Sequence, residues 1–334
     1  MLSEFNQFIL ICFFISIVLV IFNEYVAQKF NLFDSPDKLR KFHHKKTPIT
    51  GGLIIFVSMC IFFILQITGL VENINYIQST SRNLSLVIGC SIFFLIGLID
   101  DKKNLSPNIK IILFILTIII LMFIDNEINI ETISLSILDN NFSIGFFSYF
   151  WTIICFLLFI NALNMFDGIN LQVCIYSLIS VLYLVFYHQF LNSFLIVVSF
   201  SLICFALLNY FSKSFLGNSG SYLLGFLIGY MFIKTYNIEK NIYADEIVLL
   251  MILPGLDLIR LFFIRIINKK HPFSPDRKHI HHYFLKKFNH VNTFFLISLM
   301  IWIPFFIGKF TGAIFTVLIF QFLLYTFVIL RFRD

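Results

Sequence analysis

The chain has 334 residues, of which 59% are apolar and 13% charged, against about 45–50% and about 25% in soluble proteins. A water-soluble fold cannot hide so much apolar surface, 46 Phe included, so the main solvent is lipid. The same numbers exclude a disordered chain, a nucleic-acid partner and a disulfide scaffold, and the net charge of +6 acquires meaning only from the membrane side that carries it.

A spanning helix needs about 20 mostly apolar residues. In chain order such segments fall near 7–27, 49–69, 84–100, 109–125, 146–163, 171–187, 192–210, 220–236, 245–266, 292–308 and 312–330. This predicts an all-α integral membrane protein of about eleven transmembrane helices in a single multi-pass domain, 1–334. The first run lacks a small-residue cleavage site and is expected to be a span. An odd number of spans puts the termini on opposite sides. With the N-terminus outside, twenty of the 24 Lys and Arg fall on inner segments. The positive-inside rule therefore predicts a periplasmic N-terminus and a cytoplasmic C-terminus. The six cysteines all lie in apolar runs and form no C-x-x-C pair; they read as small buried hydrophobes.

Between the fourth and fifth spans, Ile133-Ser134-Leu135-Ser136-Ile137 alternates apolar with polar, Asp139-Asn140-Asn141 is a turn cluster, and Phe142-Ser143-Ile144 resumes the alternation. A short hairpin on the outer surface near 130–145 is expected.

The groups able to do chemistry gather in the inner segments 28–48, 100–110, 161–172, 211–221 and 267–291. A transporter would carry them at mid-membrane on broken helices. Asp257 and Arg260, toward the inner end of the ninth span, come nearest to that. Asp100-Asp101 closes the run LIGLID. Two adjacent carboxylates are either helix-end solvation or a metal or base site, because unshared like charge raises one of them. Nine residues on, Lys110 can meet a phosphate. NALNMFDGIN offers Asn161, Asn164, Asp167 and Asn170 at a spacing of three, which suggests one helical face, and Gly168 permits close backbone approach. Gly217-Asn218-Ser219-Gly220-Ser221 can present helix N-terminal amides to an anion, or be an ordinary turn and cap. The loop SPDRKHIHH concentrates Arg277, Lys278, His279, His281 and His282, and the first loop carries Arg40, Lys41, His43 and His44. Both can cradle phosphates or attract anionic lipid. Carboxylates beside basic groups at a membrane face suit phosphoryl transfer with Mg²⁺.

In this order DSPDKLRKFH, PITGG, GLIDD, NALNMFDGIN, GNSGS and SPDRKHIHH closely resemble the polyprenyl-phosphate N-acetylhexosamine-1-phosphate transferases, glycosyltransferase family 4. The last motif is most similar to the WecA-type branch, which transfers GlcNAc-1-phosphate. The resemblance implies that a UDP-N-acetylhexosamine and undecaprenyl phosphate give undecaprenyl-diphospho-sugar and UMP. That reaction would start a cell-envelope glycan such as O-antigen at a bacterial inner membrane, with Mg²⁺ or Mn²⁺ as cofactor and a homodimer as assembly. It further implies that Asp100 and Asp101 deprotonate the lipid phosphate or arrange the metal, and that Asp167 is essential. Asn164 and Asn218 would ligate metal, and Lys110 would contact diphosphate. Arg277, His279, His281 and His282 would form the phosphate and sugar-side loop, Asn170 would lie near the uracil, and Asn161, Gly168 and His43 would complete the substrate side. The family pattern is Gly-Asp-x-Gly-Ser where this chain has Asn218, which predicts weaker metal binding. A phospho-MurNAc-pentapeptide transferase, an inactive lipid-phosphate binder and a lipid-sugar transporter are the alternatives.

Overall fold

The computed structural model describes residues 2–35, 45–68, 80–138, 141–187, 192–272, 274 and 276–332. His43 and the Asp139–Asn140 turn lie outside them. Among the described residues the chain forms α1 (Leu2–Ile21), α2 (Asn23–Phe30), α3 (Gly51–Ile67), α4 (Thr80–Lys103), α5 (Pro107–Ile124), α6 (Ser148–Phe166), α7 (Gln172–Tyr187), α8 (Asn192–Tyr210), α9 (Gly217–Lys234), α10 (Ala244–Ile267), α11 (Ile280–Leu285), α12 (His290–Thr311) and α13 (Ile314–Phe332). Each segment expected to span coincides with one of these helices. Seven are long and apolar enough to cross a membrane: α4, α5, α6, α8, α10, α12 and α13. The α1–α2 pair, bent by 71°, adds an eighth, while α3 and α7 are shorter apolar helices. The protein is an all-α, multi-pass membrane protein.

Its surface confirms the solvent inferred from composition. Phe123, Phe186 and Phe310 are each more than 80% exposed, which water would not tolerate but lipid does. The interior is built around α9, whose residues from Ser219 to Lys234 are all buried and which packs on α3, α4, α6 and α7. Phe226 on α9 stacks on Phe93 of α4 at 4.8 Å and on Phe156 of α6 at 5.7 Å between ring centres.

Among the described helices two carry proline in their interior, and both freed carbonyls are recaptured. Pro254 in α10 has no N–H for Leu250, and the Tyr176 hydroxyl donates to that carbonyl at 3.3 Å. Pro304 in α12 likewise frees the Met300 carbonyl, which accepts from Gln321 Nε2 of α13. Hydrocarbon offers no water to do this. Tyr176→Phe should therefore lower the thermal unfolding midpoint in detergent, by the equivalent of about 1 kcal/mol. An unshifted midpoint would show that the Leu250 carbonyl finds another partner.

The expected hairpin is present: β3 (Thr132–Ile133) pairs antiparallel with β4 (Phe142–Ser143). At the same end of α9, buried Lys234 lies 2.7 Å from Asp125 and 2.6 Å from Glu127, and Asp125 also accepts from Ser85 and Tyr230. At the opposite end, β1 (Phe33–Asp34) pairs with β2 (Thr47–Pro48). The following Ile49 bridges Phe215, and the Gly51 and Gly52 amides donate to the Phe215 and Leu216 carbonyls, both at 3.1 Å. The PITGG motif is thus a dock for the segment that leads into α9.

Candidate active site

That end of the bundle holds a cleft of about 840 Å³ lined by Asp101, Asn164, Asp167, Gly168, Asn170, Asn218, His281 and His282. Residues from α4, the end of α6, the start of α9 and α11 therefore meet. Gly97 explains part of the convergence. A Cβ there would collide with the Ser219 Cα and the Asn218 carbonyl, so α4 can lie directly on α9. One turn later Asp101 reaches the N-terminus of α9. Its two oxygens accept the amides of Asn218 at 2.8 Å and Ser219 at 3.0 Å. The anion expected at the GNSGS amides is the chain's own Asp101 carboxylate.

Adjacent residues on a helix point about 100° apart, and the aspartate pair divides accordingly. Asp100 is buried (2% exposed) and is not among the residues lining the cleft. Its oxygens accept the Leu105 amide at 2.8 Å, the Tyr222 hydroxyl at 2.8 Å and the Lys110 ammonium at 3.1 Å. Lys110 lies in that ion pair and does not line the cleft.

The NALNMFDGIN segment also departs from a single helical face. Steps of three residues drift by about 60° each, and α6 ends at Phe166 with Asp167 as its C-cap. Asn164, Asp167 and Asn170 reach the cleft; Asn161 turns back on the Leu157 carbonyl at 2.8 Å. Asn164 Nδ2 donates to Asn218 Oδ1 and to Ser221 Oγ, both at 2.9 Å, and Asn170 donates to Ser212 at 2.7 Å. Gly168 carries the close approach: a Cβ would run into the His281 imidazole. Asp167 opens onto the cleft but has protein on its other sides. Desolvation by the protein around it, followed by the charge of Asp101, raises its carboxyl to about 7.

The histidines separate too. His281 and His282 line the cleft, while His279 is buried against Asp257 with Nδ1 2.8 Å from the carboxylate. Arg277 and Lys278 are exposed and outside the cleft lining. Burial, followed by the charges of the neighbouring histidines, holds His281 well below the usual imidazole range. Burial, followed by His279 and Arg277, brings His282 to about 4. At neutral pH both rings are uncharged, so they meet an anion as hydrogen-bonding groups.

The sequence reading passed over several members of this site. Asn104, Asn209 and Ser212 line the cleft, as do Val291, Phe294 and Phe295, which form an apolar wall. Asp34, quoted above only within a motif, lines it too. Tyr222 and Tyr325 look like core aromatics in sequence, and nothing in their spacing marks them as carboxylate partners.

The donor set suits a hard cation. Asp101, Asp167, Asn164 and Asn218 offer carboxylate and amide oxygens around one cleft, the kind of ligand Mg²⁺ takes together with substrate phosphates. Among the described residues no three His, Cys, Asp or Glu side chains form an ion site by themselves, so phosphate oxygens would have to complete the shell.

Residues 83–236, which run from α4 through α9, match Glycosyl transferase family 4. A probable undecaprenyl-phosphate N-acetylglucosaminyl 1-phosphate transferase of Bacillus subtilis is 28% identical over 267 residues, 77% of this chain and 70% of the relative. The undecaprenyl-phosphate alpha-N-acetylglucosaminyl 1-phosphate transferase of Salmonella typhimurium is 28% identical, covering 82% of this chain and 75% of its own. That of Thermotoga maritima is 29% identical, covering 86% and 83%.

Proposed function

We propose that this protein transfers N-acetylhexosamine-1-phosphate, GlcNAc-1-phosphate foremost, from a UDP-sugar to undecaprenyl phosphate, releasing UMP. The observation that carries this reading is the cleft itself. Two carboxylates, two asparagines and two neutral histidines converge on it beside the apolar wall of Val291, Phe294 and Phe295, within a family 4 domain. Relatives named for this transfer support the substrates. The excess of Lys and Arg on this side supports a cytoplasmic opening, with the N-terminus periplasmic.

In the transfer, an oxygen of the lipid phosphate forms a bond to the sugar-bearing phosphorus. The bond from that phosphorus to the bridging oxygen breaks, and its electron pair leaves on UMP. Asp167, ionised for about half the time near pH 7, is suited to take the proton of the lipid phosphate. Asp101 fixes the α9 N-terminus, so the Asn218 side chain keeps its place beside Asn164. His281 and His282 offer ring N–H groups to phosphate oxygens. Oxygens of Asn164, Asn218 and Asp101, with substrate phosphate, would hold Mg²⁺, which would supply neutralisation of charge on the diphosphate. The product would begin a cell-envelope glycan in the bacterial inner membrane, and the working unit is proposed to be a homodimer.

A transporter would line a passage with charged groups at mid-membrane. The mid-helix pair here, Asp257 and Arg260 at 2.8 Å, is bonded to the 278–280 loop and lines no cleft wall. The test of the reaction is UMP release by purified protein given undecaprenyl phosphate, Mg²⁺ and UDP-GlcNAc, with UDP-GalNAc and UDP-MurNAc-pentapeptide as competitors, and the lipid product weighed by mass spectrometry. No UMP from any donor would overturn the transferase reading in favour of a lipid-phosphate binder.

Asn218 sets the expected metal demand. An amide brings a dipole where a carboxylate brings a full charge, and hard cations prefer charged oxygens. The Asn218 amide accepts from Asn164, and its backbone N–H already holds Asp101. Asn218→Asp should lower the Mg²⁺ concentration for half-maximal activity several-fold. In chelator it should also lower the thermal midpoint, because a third carboxylate joins Asp101 and Asp167. Equal midpoints in the Mg²⁺ titration would show that position 218 does not touch the ion.

A further inference from the structure

Outside the cleft, α10 carries a buried carboxylate with more partners than a helix needs. Asp257 is 4% exposed. Its Oδ2 meets His279 Nδ1 at 2.8 Å; its Oδ1 accepts from Arg260 Nη2 at 2.8 Å and from the Tyr325 hydroxyl of α13 at 2.9 Å. The Ile280 amide lies 3.3 Å from one oxygen and 3.4 Å from the other. Arg260 donates in turn to the Tyr325 hydroxyl at 2.6 Å and to the Lys278 carbonyl. Two turns further along α10, Arg265 holds Asp276 and the Pro272 carbonyl, both at 2.8 Å.

The consequence lies in α11. Six residues make a helix too short to hold itself, and His279, its N-cap residue, makes no side-chain cap bond. The Asp257 carboxylate, arriving from another helix, accepts the first amide instead. It also fixes the imidazole, since an ionised carboxylate only accepts and a neutral His279 must then carry its proton on Nδ1. The His279 ring lies parallel to that of His281, 2° apart at 5.4 Å between centres, and His281 rests against Gly168 beside Asp167.

We infer that Asp257, braced by Arg260 and Tyr325, is a positioning residue of the transfer site: it sets the His279 tautomer and docks α11 so that His281 and His282 stand at the cleft. The inference rests on the transfer reaction proposed above. Loss of the outer partner of a metal-bound histidine costs about 10–100-fold in activity, and a loss of that order is expected for a histidine that orients a phosphate-binding helix.

The test uses the full chain in nanodiscs with Asp257→Asn, Tyr325→Phe and, as a control at the far end of α10, Glu246→Gln, which breaks the 2.6 Å pair with Lys309. Asp257→Asn should lower kcat for UMP release about 10–100-fold, with KM for undecaprenyl phosphate unchanged and amide exchange over 279–285 accelerated. Tyr325→Phe, which removes one donor, should do the same more weakly. Glu246→Gln should lower the thermal midpoint and leave kcat alone. If Asp257→Asn reduces kcat no more than Glu246→Gln does, or leaves exchange over 279–285 unaltered, the positioning role is overturned. Should wild-type protein release no UMP at all, the transfer reading fails by itself. The exchange measurement then still decides whether Asp257 docks α11.

Discussion

Asp101→Ala is expected to reduce UMP release by at least about a thousandfold, some 4 kcal/mol of transition-state stabilisation, and to lower the thermal midpoint in the same preparation. The double effect follows from its position. Asp101 lines the cleft and at the same time accepts two amides from the first turn of α9 at 2.8 and 3.0 Å. Removing it leaves both amides without an acceptor and takes a negative charge from a helix N-terminus, each a loss of about 1–2 kcal/mol. The buried α9 would then begin frayed, and Asn218 with it. Asp101→Asn should separate the two effects: one carbonyl oxygen survives to hold one amide, so most stability returns while the charge stays absent. Asp100→Asn should differ in kind. Asp100 joins Lys110, Tyr222 and the Leu105 amide away from the cleft, so stability should suffer more than turnover. Wild-type turnover in a well-folded Asp101→Ala protein would remove Asp101 from the site.

The helices were legible because lipid is a strict solvent. Backbone polar groups must be satisfied within the segment, so every long apolar run had to be helical, and the eleven expected segments all are. Legibility failed where direction mattered more than position. The pair Asp100-Asp101 reads as one unit in sequence, yet a rotation of about 100° sends one carboxylate inward and the other to the cleft. Asn161, Asn164, Asp167 and Asn170 were grouped by a three-residue period that drifts around the helix and outlasts it, since α6 stops at Phe166. The GNSGS segment offers either an anion site or a turn and cap in sequence, and the carboxylate its amides meet comes from 117 residues earlier in the chain. Asp257 and Arg260 are visible in sequence as charged residues toward the inner end of the ninth span. Their use is not, because Tyr325 and the His279 loop approach only in the folded bundle. The Asn at 218 stood out only by comparison with a family pattern, and geometry then added what that pattern lacks: the amide is engaged by Asn164.

Asp167→Asn should lower kcat/KM by about a thousandfold, within the range for loss of a general base, and should also change the shape of the pH profile. The wild-type carboxyl is raised to about 7 by the protein around it and by Asp101. A base works ionised, and the proton it takes must still be on the lipid phosphate, whose own ionisation lies near pH 6. The wild-type kcat/KM should therefore be greatest between about pH 6 and 7 and fall about tenfold per unit further out on either side. Without the carboxylate the phosphate must ionise by itself, so Asp167→Asn should be slow at every pH and rise to a plateau above about pH 7. Raising Mg²⁺ should lift the wild-type maximum, because a cation near the carboxylate favours its charged form, and should leave the profile of the variant nearly unchanged. A variant that keeps the wild-type fall above pH 7 would assign the titration to another group. Full activity in Asp167→Asn would mean that the lipid phosphate reacts already ionised, with no base required. The remaining contribution of Asp167 would then be its charge, and Asp167→Glu and Asp167→Asn would differ only in Mg²⁺ demand.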